Sequence, residues 1–211
     1  MLVTILATPR TGSSSLWSSY KSEWWPPEHP MSHGHGEYYN GFNSPAIWKN
    51  TLDYKQYLYN IRKNITKEQM HEKLINYVTE NPNTNIAIKV FPSHASKSMI
   101  KQLLEKSDQV VHAVRKSYTC QLKSMAAAGI SKCWGHKRPK VIKLSQHHID
   151  MNHQLLTKDI IEHSQYYKQY GGELFFLEDR FDENKKYPLY EFYPDNLEWP
   201  TFDTVSLFDN T

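Results

Sequence analysis

A short apolar run, Leu2-Val3-Thr4-Ile5-Leu6-Ala7, passes directly into Thr8-Pro9-Arg10-Thr11-Gly12-Ser13-Ser14-Ser15-Leu16-Trp17. β-Branched residues, a turn punctuated by Pro and Gly, and a hydroxyl-rich helix start predict strand, loop and helix in that order. Such a loop suits a phosphate or sulfate, because the first N–H groups of a helix have no intrahelical acceptor and carry the positive end of its dipole. Gly12 lets the backbone approach an anion closely, and neighbouring N–H groups can turn inward around it. Arg10 adds a fixed positive charge, and Ser13, Ser14 and Ser15 add neutral donors on the first helical turn. The spacing differs from the Gly-x4-Gly-Lys-Ser/Thr of an NTPase P-loop: no Gly begins it, and Arg10 precedes Gly12. Serine at such a turn also serves as an ordinary helix cap, so a second feature is needed to assign the loop.

That second feature lies at 108–128. Asp108-Gln109-Val110-Val111-His112-Ala113-Val114 reads as a buried strand, Arg115-Lys116-Ser117 follow it, and Tyr118 to Ala128 reads as a helix. Pro-(Lys/Arg)-(Ser/Thr)-Gly-(Ser/Thr)-(Ser/Thr) after a first strand, with Arg and then Ser after a later one, resembles the sulfotransferases that use 3′-phosphoadenosine 5′-phosphosulfate (PAPS). The resemblance implies that Arg10, Thr11, Gly12, Ser13 and Ser14 hold the 5′-phosphosulfate, and that Arg115 and Ser124 hold the 3′-phosphate. A guanidinium fork for two oxygens and a hydroxyl for another meet that demand. The interval from Arg115 to Ser124 is one residue longer than the family's commonest spacing, and Lys116 restores it. Gln121 stands where Stf0-like bacterial sulfotransferases show Gln-x-x-Ser, so Lys116 remains an alternative to Arg115.

A third segment, Ser32-His33-Gly34-His35-Gly36-Glu37-Tyr38-Tyr39-Asn40, resembles the Glu-Tyr-Phe stretch after the first helix of Stf0-like enzymes. There the Glu is the proposed general base, which makes Glu37 the first choice for taking the acceptor hydroxyl's proton. His33, His35 and His94 stand as rivals, since imidazole titrates nearer neutral pH. In the cytosolic enzymes a base follows a strand Lys by two residues; here Phe91 occupies that place. Lys89 interrupts the apolar strand Asn85-Ile86-Ala87-Ile88-Lys89-Val90-Phe91 near its C-terminal end, where open α/β sheets present ligand-binding residues. It either stabilises charge on a departing phosphate or snorkels from an edge strand. Glu37, Arg10 and Lys89 are thus the catalytic candidates.

The remaining sequence predicts alternating elements. A strand at 2–7 and a helix at about 13–21 lead into an irregular, Pro-, His- and aromatic-rich stretch over 22–50, expected to act as the active-site and substrate loop. Helices follow at 53–62 and 66–80, the second opened by a capping box that pairs Thr66 with Gln69. A strand at 85–91, a helix at 95–106 and the strand at 108–114 repeat the alternation of a parallel sheet. Residues 129–145 read as a basic loop, and 146–170 as a long helix with Ile149, Leu156, Ile160 and Tyr167 on one stripe. The strand Leu174-Phe175-Phe176-Leu177 leads into Glu178-Asp179-Arg180, which resembles the strand-plus-Glu-Asp-Leu element found late in many sulfotransferases. Arg180 replaces the usual Leu there. After 183 an aromatic, Pro-spaced tail is expected to wrap the surface with short elements at most. The expected architecture over 1–211 is therefore one sulfotransferase-like domain. It is α/β, a P-loop NTPase-like three-layer fold with a central, mostly parallel sheet flanked by helices.

Composition bounds the partners. A formal net charge of +3 suits an anionic co-substrate and lacks the basic stripe expected of a nucleic-acid binder. No apolar run approaches a membrane span. The strand beginning at residue 2 leaves no room for a signal peptide, and two Cys do not suggest a disulfide scaffold. A cytoplasmic enzyme is expected. Cys133, His136, His147, His148 and His153 lack zinc-ligand spacing, and sulfuryl transfer requires no metal. The expected acceptor is a hydroxyl of a glycan or small molecule, with glycolipid, phenol and peptide tyrosine all open, and Trp24, Trp25, Tyr38 and Tyr39 are available for stacking. A nucleotide or small-molecule kinase of related fold is disfavoured by the missing Walker Lys. A non-catalytic binding protein on the same nucleotide fold is the other alternative.

Overall fold

The computed structural model describes residues 1–20, 39, 66–131, 141–180 and 191–209, and every structural statement below concerns these. The chain is α/β, with a central parallel sheet flanked by helices. In chain order the strands are β1 (Leu2–Ala7), β2 (Ile86–Val90), β3 (Gln109–Val114), β4 (Val141–Lys143), β5 (Glu173–Phe176) and β6 (Glu191–Tyr193). The helices are α1 (Ser13–Ser18), α2 (Lys67–Glu80), α3 (Lys97–Lys106), α4 (Tyr118–Ser131), α5 (Gln146–Tyr170) and the single turn α6 (Leu177–Arg180). The main sheet has the order β2-β1-β3-β5 with all pairs parallel.

β1 lies between two strands and is buried along its whole length. Its unbroken apolar run follows from that, because a parallel strand covered on both faces has no solvent side to alternate with. Leu2 and Leu6 point to one face, where Met70 and Leu74 of α2 and Ile100, Leu103 and Leu104 of α3 meet them. Val3, Ile5 and Ala7 point to the other, against Leu16 of α1. Trp17 docks α1 sideways by donating its indole Nε1–H to the Ala87 carbonyl of β2 at 2.8 Å.

The helices begin where their caps dictate. The Gln69 N–H donates to Thr66 Oγ1 at 3.1 Å, and the Thr66 N–H to Gln69 Oε1 at 2.8 Å, completing the expected capping box of α2. α5 spans 146–170 as its pattern predicts, and Ile149, Leu156, Ile160 and Tyr167 are all buried. Two expectations are corrected. Residues 129–145 are not loop throughout, since α4 continues to Ser131 and β4 forms at 141–143, pairing in parallel with β6. The tail does more than wrap the surface. Phe208 is 2% exposed in one core with Leu156, Ile160 and Tyr167, and Trp199 and Phe202 pack against that core. Aromatic mass, rather than periodicity, anchors this segment.

Among the described residues no helix is long and apolar enough to cross a membrane. The helix expected at 53–62 and most of the 22–50 loop lie outside the described residues.

Candidate functional site

In a parallel sheet every strand ends at the same edge, so residues just past the strand ends gather whatever their separation in sequence. Arg10 follows β1, Lys89 is the penultimate residue of β2, Arg115 directly follows β3, and Glu178 lies just beyond β5. The register aligns them, with Leu6 opposite Val90, Ala7 opposite Ala113, and Val114 opposite Phe176.

The loop after β1 is tied from within and from α4. Thr11 Oγ1 donates to the Thr8 carbonyl at 3.0 Å. Gln121, fully buried on α4, donates its Nε2 hydrogens to Thr8 Oγ1 at 2.9 Å and to the Pro9 carbonyl at 2.7 Å. This tether holds a demanding backbone. Arg10 has φ 70° and Gly12 φ 74°, both left-handed. For Arg10 that conformation costs about 1–2 kcal/mol, and strain of this kind persists only where the surroundings over-determine it. Past Gly12 the N–H groups of Ser15 and Leu16 turn back to the Gly12 carbonyl at 3.0 and 3.2 Å. The N–H groups of Thr11, Gly12, Ser13 and Ser14 have no acceptor among the described residues. They form the donor set that a helix start offers an anion.

The cations converge on this loop. Arg10 Nε donates to Ser124 Oγ at 3.0 Å, so α4 contributes a hydroxyl to the group around the loop. Lys89 points to the α1 face of the sheet and donates from Nζ to Ser14 Oγ at 2.7 Å, with the Phe91 ring 5.5 Å away. At 1% exposed, it does not snorkel to water from the sheet edge. Arg115, buried, donates from Nη1 to the Arg10 carbonyl at 3.4 Å. Arg10, Arg115 and Ser124 are thus linked to one another, and Lys89 to Ser14, around the same loop.

Lys116 is directed elsewhere: its exposed ammonium pairs with Asp179 and lies 5.0 Å from the centre of the Phe176 ring. His94 sits in the short turn after β2 with its ring against Phe91, and its carbonyl accepts from Lys67 Nζ at 2.7 Å. Burial lowers the Lys67 ammonium below its ordinary value, with Glu68 opposing the shift. Glu37, His33, His35 and Cys133 lie outside the described residues.

Sequence reasoning assigned no role to several groups. Glu178 accepts from the backbone N–H of Lys116 at 3.0 Å and of Ser117 at 3.1 Å, and its Oε1 lies 3.6 Å from Arg115 Nε. On the opposite side of the sheet, His112 and His163 are buried together, Nδ1 to Nε2 at 3.1 Å. His112 Nε2–H donates to the Gly171 carbonyl at 2.8 Å, which leaves His112 Nδ1 to accept from His163. Burial holds both rings neutral, His112 down to about 4 and His163 well below its ordinary value. Tyr39 is also buried, its hydroxyl 2.6 Å from His71 Nδ1, while His71 Nε2 bonds Gln102 Oε1. No local pattern announces such pairs, because each joins residues far apart in the chain. Among the described residues no group of three or more His, Cys, Asp or Glu is arranged to hold a metal ion.

Compared with protein-family models, with curated proteins and with solved structures, the chain matches none.

Proposed function

We propose that this chain is a PAPS-dependent sulfotransferase with a P-loop-like α/β domain, moving a sulfuryl group to a hydroxyl of a glycan or small molecule. The observation that carries the reading is the convergence of Arg10, Lys89 and Arg115, with Ser14 and Ser124, on one loop at the C-terminal edge of a parallel sheet. The donor set fits the co-substrate's two anionic groups. The N–H groups of Thr11 to Ser14, the Ser14 hydroxyl, Arg10 and Lys89 suit the phosphosulfate, whereas Arg115 and Ser124 suit the 3′-phosphate.

PAPS supplies an activated sulfuryl group whose leaving group is a phosphate. Against that chemistry, Lys89 and Arg10 stabilise charge that gathers on the phosphate oxygen as its bond to sulfur breaks. The buried position of Lys89 strengthens this effect, since a less polar surrounding screens it less. Glu37 takes the proton of the acceptor hydroxyl as its oxygen bonds to sulfur, with His33, His35 and His94 as the alternative bases. The reading places this chemistry in the cytoplasm and requires no metal.

Calorimetric titration with 3′-phosphoadenosine 5′-phosphate tests it, with 5′-AMP and ATP–Mg²⁺ as controls. Micromolar binding that needs the 3′-phosphate, and that weakens in Arg115→Ala to the level of 5′-AMP, is the expected result. Preference for ATP–Mg²⁺ would place a kinase first, and absence of nucleotide binding would favour a non-catalytic binding protein.

A further inference from the structure

We infer that Glu178 is a positioning residue that fixes Arg115 for recognition of the nucleotide's 3′-phosphate, an inference that rests on the sulfotransferase reading. Arg115 begins where β3 ends, and an arginine leaving a strand has a long side chain with many rotamers to lose. Two constraints are visible among the described residues. The Nη1 end donates to the Arg10 carbonyl, which faces it toward the anion loop. The Nε side lies 3.6 Å from Glu178 Oε1, an ion-pair distance rather than a hydrogen bond.

The carboxylate is itself held. Both of its oxygens accept backbone hydrogens, Oε2 from Lys116 and Oε1 from Ser117, in the turn that joins β3 to α4. It therefore does not need the guanidinium as a hydrogen-bond partner. It acts as a fixed negative charge behind Arg115 and as a clamp on the turn that carries it. Neighbouring side chains reinforce the arrangement. Asp179 draws the Lys116 ammonium away, which leaves Arg115 as the cation of this turn that faces the loop. Leu177, buried and immediately before Glu178, lies against Gly12: a Cβ at Gly12 would collide with its Cδ1. The short α6 turn thus touches both halves of the candidate site, the phosphosulfate loop through Leu177 and the 3′-phosphate arginine through Glu178.

A structural brace and a positioning group predict different data. Glu178→Gln keeps the size of the side chain and one acceptor oxygen but removes the charge. In calorimetric titrations it is expected to weaken 3′-phosphoadenosine 5′-phosphate about tenfold, the order of one charge-assisted contact, while leaving 5′-AMP unchanged. In an Arg115→Ala background the same substitution is expected to change neither ligand, because the group it positions is gone. Equal weakening of both nucleotides, or an undiminished effect of Glu178→Gln without Arg115, would reduce Glu178 to a brace and overturn the inference. Unaltered discrimination in Glu178→Gln overturns it too, with the cofactor reading intact. A wild-type protein that ignores the 3′-phosphate overturns both. Glu178→Asp, which keeps the charge on a shorter stem, guards against a misfolded Gln variant and is expected to retain part of the discrimination.

Discussion

Lys89 carries a charge into the sheet. The residue is 1% exposed, and its ammonium meets a serine hydroxyl and a ring face among its contacts, since a buried charge persists only where it is partnered. Lys89→Met keeps the length of the side chain and removes the charge, so the folded variant isolates what the ammonium contributes to anion binding. Its affinity for 3′-phosphoadenosine 5′-phosphate is expected to fall about tenfold or more, as for loss of a charge-assisted contact. Thermal unfolding beside calorimetry checks this, and intact affinity would make Lys89 a bystander. The lysine was legible because one cation interrupts an apolar run, and Arg115 because it stands at a strand end. Glu178 was legible only as part of a familiar motif. Its partners are two backbone hydrogens and an arginine just past another strand, none of which leaves a trace at local spacing.

Secondary elements were read most faithfully where an apolar period runs long. β1 and α5 have the bounds their patterns predict, since the first is buried on both faces and the second keeps one continuous buried stripe. β4 and β6 escaped because a three-residue strand offers too little alternation to register, and their pairing joins distant segments. The loop between β1 and α1 was legible as an anion cradle, yet its contact with α6 was not, and a substitution exposes that contact. In Gly12→Ala the new methyl carries the left-handed φ of 74° and strikes Leu177 Cδ1. A loss of roughly 1–3 kcal/mol is expected from overpacking together with backbone strain, read as a lowered denaturant midpoint. Adding Leu177→Ala should recover little, because the φ penalty stays and a cavity replaces the clash. Unchanged stability in Gly12→Ala would mean that α6 yields easily and braces nothing.

At the scale of the molecule, the buried histidines among the described residues make the fold sensitive to acid. In the folded state burial lowers His112 to about 4, with the Gly171 contact opposing, lowers His163 further through burial and the neighbouring ring, and lowers His71, with Gln102 opposing. The unfolded chain takes up these protons near 6.5. Their contribution is therefore full above that pH and is lost as pH falls from 6.5 toward 4. Asp159 works the other way. Burial raises its carboxyl to about 6, against the Ser93 hydrogen bond, so its protonation favours the fold over much of the same window. Three histidines oppose one carboxyl among the described residues, and the denaturant midpoint is expected to drop between pH 6.5 and 4. Asp159→Asn should steepen that drop and His163→Gln should flatten it, whereas a midpoint independent of pH would mean that the rings titrate in the folded state. Paired histidines on β3 and α5 could not be foreseen, since only the packing of the helix on the sheet joins them. The strand order carries one more consequence. β1 is synthesised first but sits between partners that begin at residues 86 and 109. At roughly 5–20 residues per second, a ribosome leaves that apolar strand waiting for something on the order of ten seconds before both neighbours exist. Until then it is a segment that calls for a chaperone's cover.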